Sequence, residues 1–301
     1  MAFGRGKVIL LGEHGVVYGH PALAAGIERG VHATATEASS ALLSIPVWDI
    51  EVAPSSEADE SLERAFDALL NVYDSPPLLA VRAEVALPAG AGLGCSAALG
   101  VAILGAMDEA LGIERSAEER ADVSLAWERV FHGNPSGVDS AMASAGGVAV
   151  FQKGKPLDHI LPRNPLTLVI ANTGDSASTK TMVDSVRRQR ERNPERVDGV
   201  FDAIAAVVRN GALAVRAGDW KALGQLMDLN QNLLASLLLS TEKIEDLCHE
   251  ARKAGAFGAK LTGSGGGGCM VALAADRTSA EAILRAIEGI AEEAFIAEVG
   301  T

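Results

Sequence analysis

Residues 78 to 112 pass from strand to helix through a turn that few residues other than glycine can make. "LLAVRAEVALP" is strand-like, "AGAGLGC" alternates glycine with small residues, and "SAALGVAILGAMDEALG" is apolar on nearly every side, as a helix buried against other elements would be. Bare backbone is thereby set at the positive end of a buried helix, where successive amides can converge on an anion. Two familiar phosphate loops do not fit. No GxxxxGK[ST] occurs in the chain, and the glycine spacing is GxGxG where a dinucleotide fold needs GxGxxG. On this loop alone, a turn without a ligand stays an equal alternative.

The chain has 301 residues and is 48% hydrophobic, enough for one large domain or two ordinary ones with a sizeable core. Its formal net charge of −13, with no dense cluster of Lys and Arg, argues against a nucleic-acid partner. The longest uncharged apolar runs, such as "NLLASLLLS", fall short of the roughly 20 residues a membrane helix needs, so no bilayer partner is expected. The opening residues lack the long apolar region of a secretory signal, which points to the cytoplasm. Cys95, Cys248 and Cys269 are too few and too scattered for a disulfide framework or a zinc site.

The first half reads as an antiparallel β-layer. "KVILLGEHGVVYG" holds two strand-like pieces joined by "GEHG", and the opening of "HATATEASSALLSI" alternates like a strand with one exposed face. Ser116 and Glu119 have capping-box spacing before "ADVSLAWERVFH", and Gly133 supplies the stop, which predicts a second helix. Prolines and charges interrupt the pattern in "FQKGKPLDHILPRNP", residues 151 to 165. The domain boundary is placed there, giving domains 1–160 and 161–301. Beyond it the pattern predicts a strand at "LTLVIAN", three or four helices between about 179 and 255, and then a strand, strand, helix, strand layer to the end.

Three further stretches carry chemistry. In "WERVFHGNPSGVDSA", Glu128 and Asp139 bracket a bend enforced by Asn134-Pro135 and Gly137. Helical spacing puts Glu128 on a face with Ala121, Leu125 and Phe131, where an unpaired carboxylate is costly and a cation would offset the cost. Read singly, these are a solvated Glu and a helix-start Asp; together, beside a phosphate-type loop, they suggest magnesium and a base. "KLTGSGGGGCMVAL" pins glycines 263 and 265 to 268 between two strands, which favours a tight turn that a ligand can approach over a flexible linker. "GKVILLGEHGVVYG" adds Lys7, Glu13 and His14 around a short strand.

Taken in order, "GKVILLGEHGVVYG", "PAGAGLGCSAA", "HGNPSGVD" and "KLTGSGGGGC" resemble the signature regions of the GHMP kinases. "GEH" with "HGNPSGVD" is similar to the mevalonate kinase branch of that superfamily, and "MDLNQNLL" adds a further likeness. The resemblance implies an α+β fold of two domains, the N-terminal one like the second domain of ribosomal protein S5 and the C-terminal one ferredoxin-like, with ATP held in the cleft between them. It implies Asp139 as the catalytic carboxylate with Lys7 as its partner, Ser96 and Glu128 as ligands of Mg²⁺, and residues 88 to 98 wrapped around the phosphates. Among these, Pro88, Gly90, Gly92, Leu93, Gly94, Cys95, Ser96 and Ala97 are the expected nucleotide contacts. Lys7, Glu13, His14, Asp139, Ser178, Thr179 and Gly265 are expected to border mevalonate.

The chain departs from the family pattern at Cys95, which replaces the first of two serines, at Ala177, where animal enzymes have Arg, and at Arg5, where Pro is usual. Family members are often homodimers, which sets that expectation for this chain. Two rival readings remain open: a relative acting on another small alcohol such as phosphomevalonate, homoserine or a sugar, and a catalytically dead paralogue that only binds nucleotide.

Overall fold

The computed structural model describes residues 1–133, 135–175 and 177–300, and within it the chain forms two compact units that are not contiguous in sequence. The first holds Met1–Gly6, Arg29–Ala89 and Gly94–Gly146; the second holds Lys7–Glu28, Gly90–Leu93 and the chain from Gly147 onward. Strands β1 (Ala2–Leu11) and β2 (Ala22–Glu37) are divided between them. Between these strands, "GVVY" forms a single 3-10 turn, Gly15–Tyr18, and not the strand expected from its apolar run. Gly19 ends it in the left-handed region, and four residues closed by glycines cannot extend.

In the first unit β2 alternates as its sequence requires, with Val31 and Ala33 buried and His32 and Thr34 exposed. β3 (Leu42–Ile45), β4 (Ile50–Val52), α1 (Ser61–Leu70) and β5 (Leu79–Val85) follow. β5 pairs antiparallel with residues 31–37 of β2, whereas β3 pairs parallel with β5, so the layer is not purely antiparallel. The connection through α1 is long enough to return the chain in the same direction, which a hairpin cannot do. α2 (Cys95–Leu111) is buried from Ala97 to Asp108 on every face, as its unbroken apolar sequence predicts. α3 (Ala117–His132) opens on the expected capping box, with Ser116 and Glu119 exchanging both bonds, and Gly133 caps its end. α4 (Val138–Ala145) follows. Trp127 of α3, Phe66 of α1 and Ile103 of α2 are fully buried.

In the second unit β6 (Val148–Phe151) pairs antiparallel with residues 22–25 of β2, and β7 (Asp158–Ile160) pairs antiparallel with β6. β8 (Leu166–Asn172) leads to four helices: α5 (Thr179–Arg192), α6 (Pro194–Ala217), α7 (Trp220–Ser236) and α8 (Glu242–Lys253). β9 (Gly258–Thr262), β10 (Cys269–Ala274), α9 (Arg277–Ile287) and β11 (Glu293–Val299) close the chain. The four strands lie in the order β11-β8-β10-β9, all antiparallel. This is the split βαβ arrangement of a ferredoxin-like domain, with the first crossover enlarged to four helices.

β9 is an edge of this sheet, yet its outward groups are taken. The Ala259 and Leu261 amides donate to Asp228 Oδ1 (3.0 Å) and Gln231 Oε1 (2.9 Å), side chains three residues apart on α7. Arg252 of α8 donates to the Ala259 carbonyl at 2.7 Å, and Lys260 donates to that of Leu261. Among the described residues no helix is long and apolar enough to cross a membrane.

One glycine of α2 is required by packing. A Cβ at Gly100 would lie 2.8 Å from the Trp127 ring, which is fully enclosed and cannot retreat. In an exposed helix Gly→Ala gains up to about 1 kcal/mol, but overpacking a closed core costs about 1–3 kcal/mol. Gly100→Ala is therefore expected to lower the urea midpoint at unchanged m-value, and an unchanged or raised midpoint would show that the ring has room.

Candidate active site

Residues 90 to 93 thread through the second unit with the carbonyls of 91 to 93 engaged. The Ala91 carbonyl accepts from the Cys269 amide (3.0 Å), that of Gly92 from the Lys7 ammonium (2.9 Å), and that of Leu93 from the Lys7 amide (2.9 Å). The path demands glycine: φ is +70° at Gly90 and +83° at Gly92, and a Cβ on Gly92 would stand 2.6 Å from the Thr262 carbonyl oxygen. The β9–β10 hairpin answers in kind, since Gly263 and Gly265 to Gly268 all have positive φ. A small cleft lies between these two backbones, lined by Gly90, Ala91, Gly92, Thr262, Gly267 and Gly268.

While the carbonyls are consumed, the amides are not. Among the described residues the backbone N–H groups of residues 90 to 97 donate to no protein acceptor. Pro88, half-buried, has no N–H and delivers the chain from β5 into the loop. In the first unit Gly94 (φ +73°) caps α2, and Cys95, Ser96 and Ala97 form its first turn. Helix geometry leaves those first amides unsatisfied, and the helix dipole makes them attractive to an anion. The Cys95 thiol is buried and pushed up to about 12 by that burial and by the charge of Glu128, so it serves as a small packing group and not as a nucleophile.

The first unit also gathers the acidic residues. Ser96 Oγ donates to Glu128 Oε1 at 2.6 Å, and Trp127 Nε1 donates to Ser96 Oγ at 3.3 Å, fixing the hydroxyl from two sides. Glu128 is buried, as its helical face predicts, but its buried companions on α3 are Ala121, Ser124 and Trp127, whereas Leu125 and Phe131 are only half-buried. His132 Nε2 lies 3.8 Å from Glu128 Oε2; burial lowers the His132 pKa, and the nearby charge of Asp139 opposes that shift. Asp139 stands in the first turn of α4 after Gly137 (φ +92°). Asn134, assigned to the bend before it, lies outside the described residues. Arg5 is held over the Phe3 ring, 5.3 Å from its centre, and against Gly146.

Lys7 belongs to the second unit, where three more of the expected residues meet at Ser264. His14 Nε2 is 2.8 Å from the Ser264 carbonyl, and Thr179 Oγ1 is 3.5 Å from the Ser264 hydroxyl, next to Gly265. A carbonyl only accepts, so His14 carries its proton on Nε2, leaving Nδ1 as a buried lone pair without a partner among the described residues. Burial lowers the His14 pKa, which keeps this ring neutral. Ser178 is exposed and caps α5, its Oγ accepting from the Thr181 amide at 3.1 Å. Ala177 packs against Gly266, where a Cβ would be 2.8 Å from its own.

Glu13 is buried and ion-paired to Lys260, with its other oxygen accepting from Asn230 Nδ2 at 3.0 Å. Burial pushes the Glu13 pKa up and the Lys260 pKa down, and each partner's charge opposes the other's shift. Lys260 and Asn230 had no role in the sequence reading. The available signal was a lysine inside an apolar strand and an Asn-Gln pair inside an apolar helix.

Two family models match the chain: the GHMP kinases N-terminal domain over residues 60–147 and the GHMP kinases C-terminal domain over residues 193–291. The chain is 34% identical to a mevalonate kinase of Thermococcus sibiricus over 312 aligned positions, covering 96% of this chain and 93% of the relative. It is 36% identical to a mevalonate kinase of Pyrococcus furiosus, covering 90% and 88%. Among solved structures it resembles L. major mevalonate kinase in complex with R-mevalonate, with TM-score 0.87 and 28% identity over 99% of this chain and 94% of that one.

The packing at Gly92 yields a test. Gly92→Ala combines a left-handed backbone with a clash against the fixed Thr262 carbonyl, so it is expected to lower the thermal midpoint and to weaken binding of a fluorescent ATP analogue at least about tenfold. Wild-type nucleotide binding in this variant would show that the segment need not run where it does.

Proposed function

The chain belongs to the GHMP kinases, and from that premise we propose that it transfers the γ-phosphoryl group of ATP to the C5 hydroxyl of mevalonate, giving 5-phosphomevalonate and ADP. One observation carries the nucleotide half of this reading: from residue 90 to 97 the amides have no acceptor among the described residues, while the carbonyls of 91 to 93 are turned away and engaged. Such a row of donors suits the closely spaced oxygens of a triphosphate. The alcohol half is supported by the relatives' shared name and by the meeting of His14, Thr179 and Ser264, polar groups of a kind that recognise hydroxyl and carboxylate.

In phosphoryl transfer the protein mainly positions the reactants and neutralises charge on oxygen. Lys7 is buried and its ammonium is anchored on the Gly92 carbonyl, so its positive charge is fixed in direction before any ligand arrives. In this reading Lys7 stabilises negative charge developing on the substrate oxygen while Asp139 accepts the hydroxyl proton. Asp139 stands in the first turn of α4, at the positive end of the helix dipole. His14, Ser178, Thr179 and Gly265 complete the substrate side, with Glu13 behind His14, its two oxygens taken by Lys260 and Asn230.

Mg²⁺ fits the same reading. The Ser96 hydroxyl and the Glu128 carboxylate are hard oxygen donors already 2.6 Å apart, and magnesium takes one or two protein ligands with phosphates and water filling the rest. Bound there, the ion would offset charge on the phosphate oxygens. The proposal further takes the protein as a cytoplasmic homodimer, with its domain boundary near residue 160 between the two matched segments.

A panel of alcohols in an ADP-release assay tests the reading, with mevalonate expected to be preferred over phosphomevalonate, homoserine and galactose. Preference for another alcohol would overturn the substrate, and ATP binding without ADP release from any alcohol would overturn the enzyme. Asp139→Asn is expected to lower kcat by about 10²–10⁴ while ATP affinity changes by less than about twofold.

A further inference from the structure

Beneath the GEH loop, the second unit holds a polar cluster that the proposed chemistry does not use. Lys260 of β9 is fully buried, and its ammonium reaches Glu13 Oε1 and the carbonyls of Ile9 (3.3 Å) and Leu261. Asn230 of α7 takes the second Glu13 oxygen at 3.0 Å. Its neighbour Gln231 donates to Ser240 Oγ and Glu245 Oε1, both at 2.9 Å. Asn230 and Gln231 belong to "MDLNQNLL", a stretch to which the proposed mechanism gives no part.

Both carboxylate oxygens of Glu13 are therefore held by protein, which leaves it poorly placed to serve as a substrate ligand. The next residue, His14, has φ +59°, a left-handed conformation that side-chain-bearing residues disfavour. Such strain persists only where the surroundings over-determine it, and it collects at functional sites. Here it is held from both sides, by the clamp on Glu13 and by the bond from His14 Nε2 to the Ser264 carbonyl. Stability gives weak grounds for keeping such a cluster, because replacing a buried ion pair by neutral groups of similar size is often harmless to folding.

We infer that Lys260 is a positioning residue for the reaction: with Asn230 it locks Glu13, and through Glu13 it holds His14 in its strained conformation against Ser264. Glu13 is then a strut and His14 the group that meets the alcohol. This rests on the reading of His14 and Ser264 as the alcohol side of the site.

The test uses the paired variant Glu13→Gln/Lys260→Met, which removes both charges together and leaves neither buried alone. Three readouts are taken: cooperative unfolding, the His14 imidazole signals in long-range ¹H–¹⁵N spectra without substrate (assigned by their loss in His14→Asn), and steady-state kinetics. The expected variant unfolds cooperatively, and its His14 loses the single Nε2–H tautomer. Its kcat/KM for mevalonate falls about 10²-fold, the scale of a misplacement near 1 Å, while affinity for a fluorescent ATP analogue moves less than about twofold. A folded variant with unaltered His14 signals, or with unaltered kcat/KM, overturns the inference. Should the pair fail to fold, Asn230→Ala removes only the neutral arm of the clamp and is judged by the same readouts. If the wild-type protein does not phosphorylate mevalonate, the functional reading fails by itself, and the substrate-free His14 spectra still decide the role of Lys260.

Discussion

The engagement of three carbonyls in a row, those of Ala91, Gly92 and Leu93, is the constraint on which the proposed nucleotide side is built. A peptide unit whose oxygen is pinned has its N–H directed the opposite way, so tying down one edge of the segment sets the direction of the other. The tie comes from residues far apart in sequence: Lys7, supplying both its amide and its ammonium, and Cys269. Glycine at 92 is a consequence, because the Thr262 carbonyl occupies the space a side chain would need. The row of donors is thus imposed by tertiary structure, and the glycines permit it without causing it.

Lys7 and Lys260 illustrate two uses of a buried ammonium in one unit. Lys7 rests on a carbonyl beside the glycine segment, where its charge can act on a ligand. Lys260 faces a carboxylate and two carbonyls, a closed set of acceptors that leaves its charge nothing to offer outward. Burial is nearly the same for both, and in the proposed reading their partners make one chemical and the other mechanical.

Much of this was legible in the sequence where local rules dominate. The capping box at Ser116 and Glu119, the all-round apolar α2 and the strand, strand, helix, strand ending are each specified by neighbours in the chain, and each is present. Two features failed to read, one through a local stop and one through a distant pairing. The "GVVY" stretch has strand composition but is closed by Gly19 after four residues, and β3 pairs parallel with β5 because α1 carries the chain back. Within the site, motif residues marked the glycine segment, Ser96, Glu128 and His14, yet their bonding could not be inferred. That Glu13 is clamped requires knowing that residues 13, 230 and 260 meet, separations of 217 and 247 positions that no local pattern encodes.

The treatment of β9 bears on how copies of this protein can associate. A sheet margin recruits a foreign strand by presenting alternate donors and acceptors at regular spacing, and here those of Ala259 and Leu261 already terminate on Asp228, Gln231, Arg252 and Lys260. Helix α7 thus substitutes for a fifth strand, its side chains three apart matching backbone groups two apart. The margin is closed to peptide capture and to fibril-like growth, so any self-association of the four-stranded layer must proceed without extending it past β9.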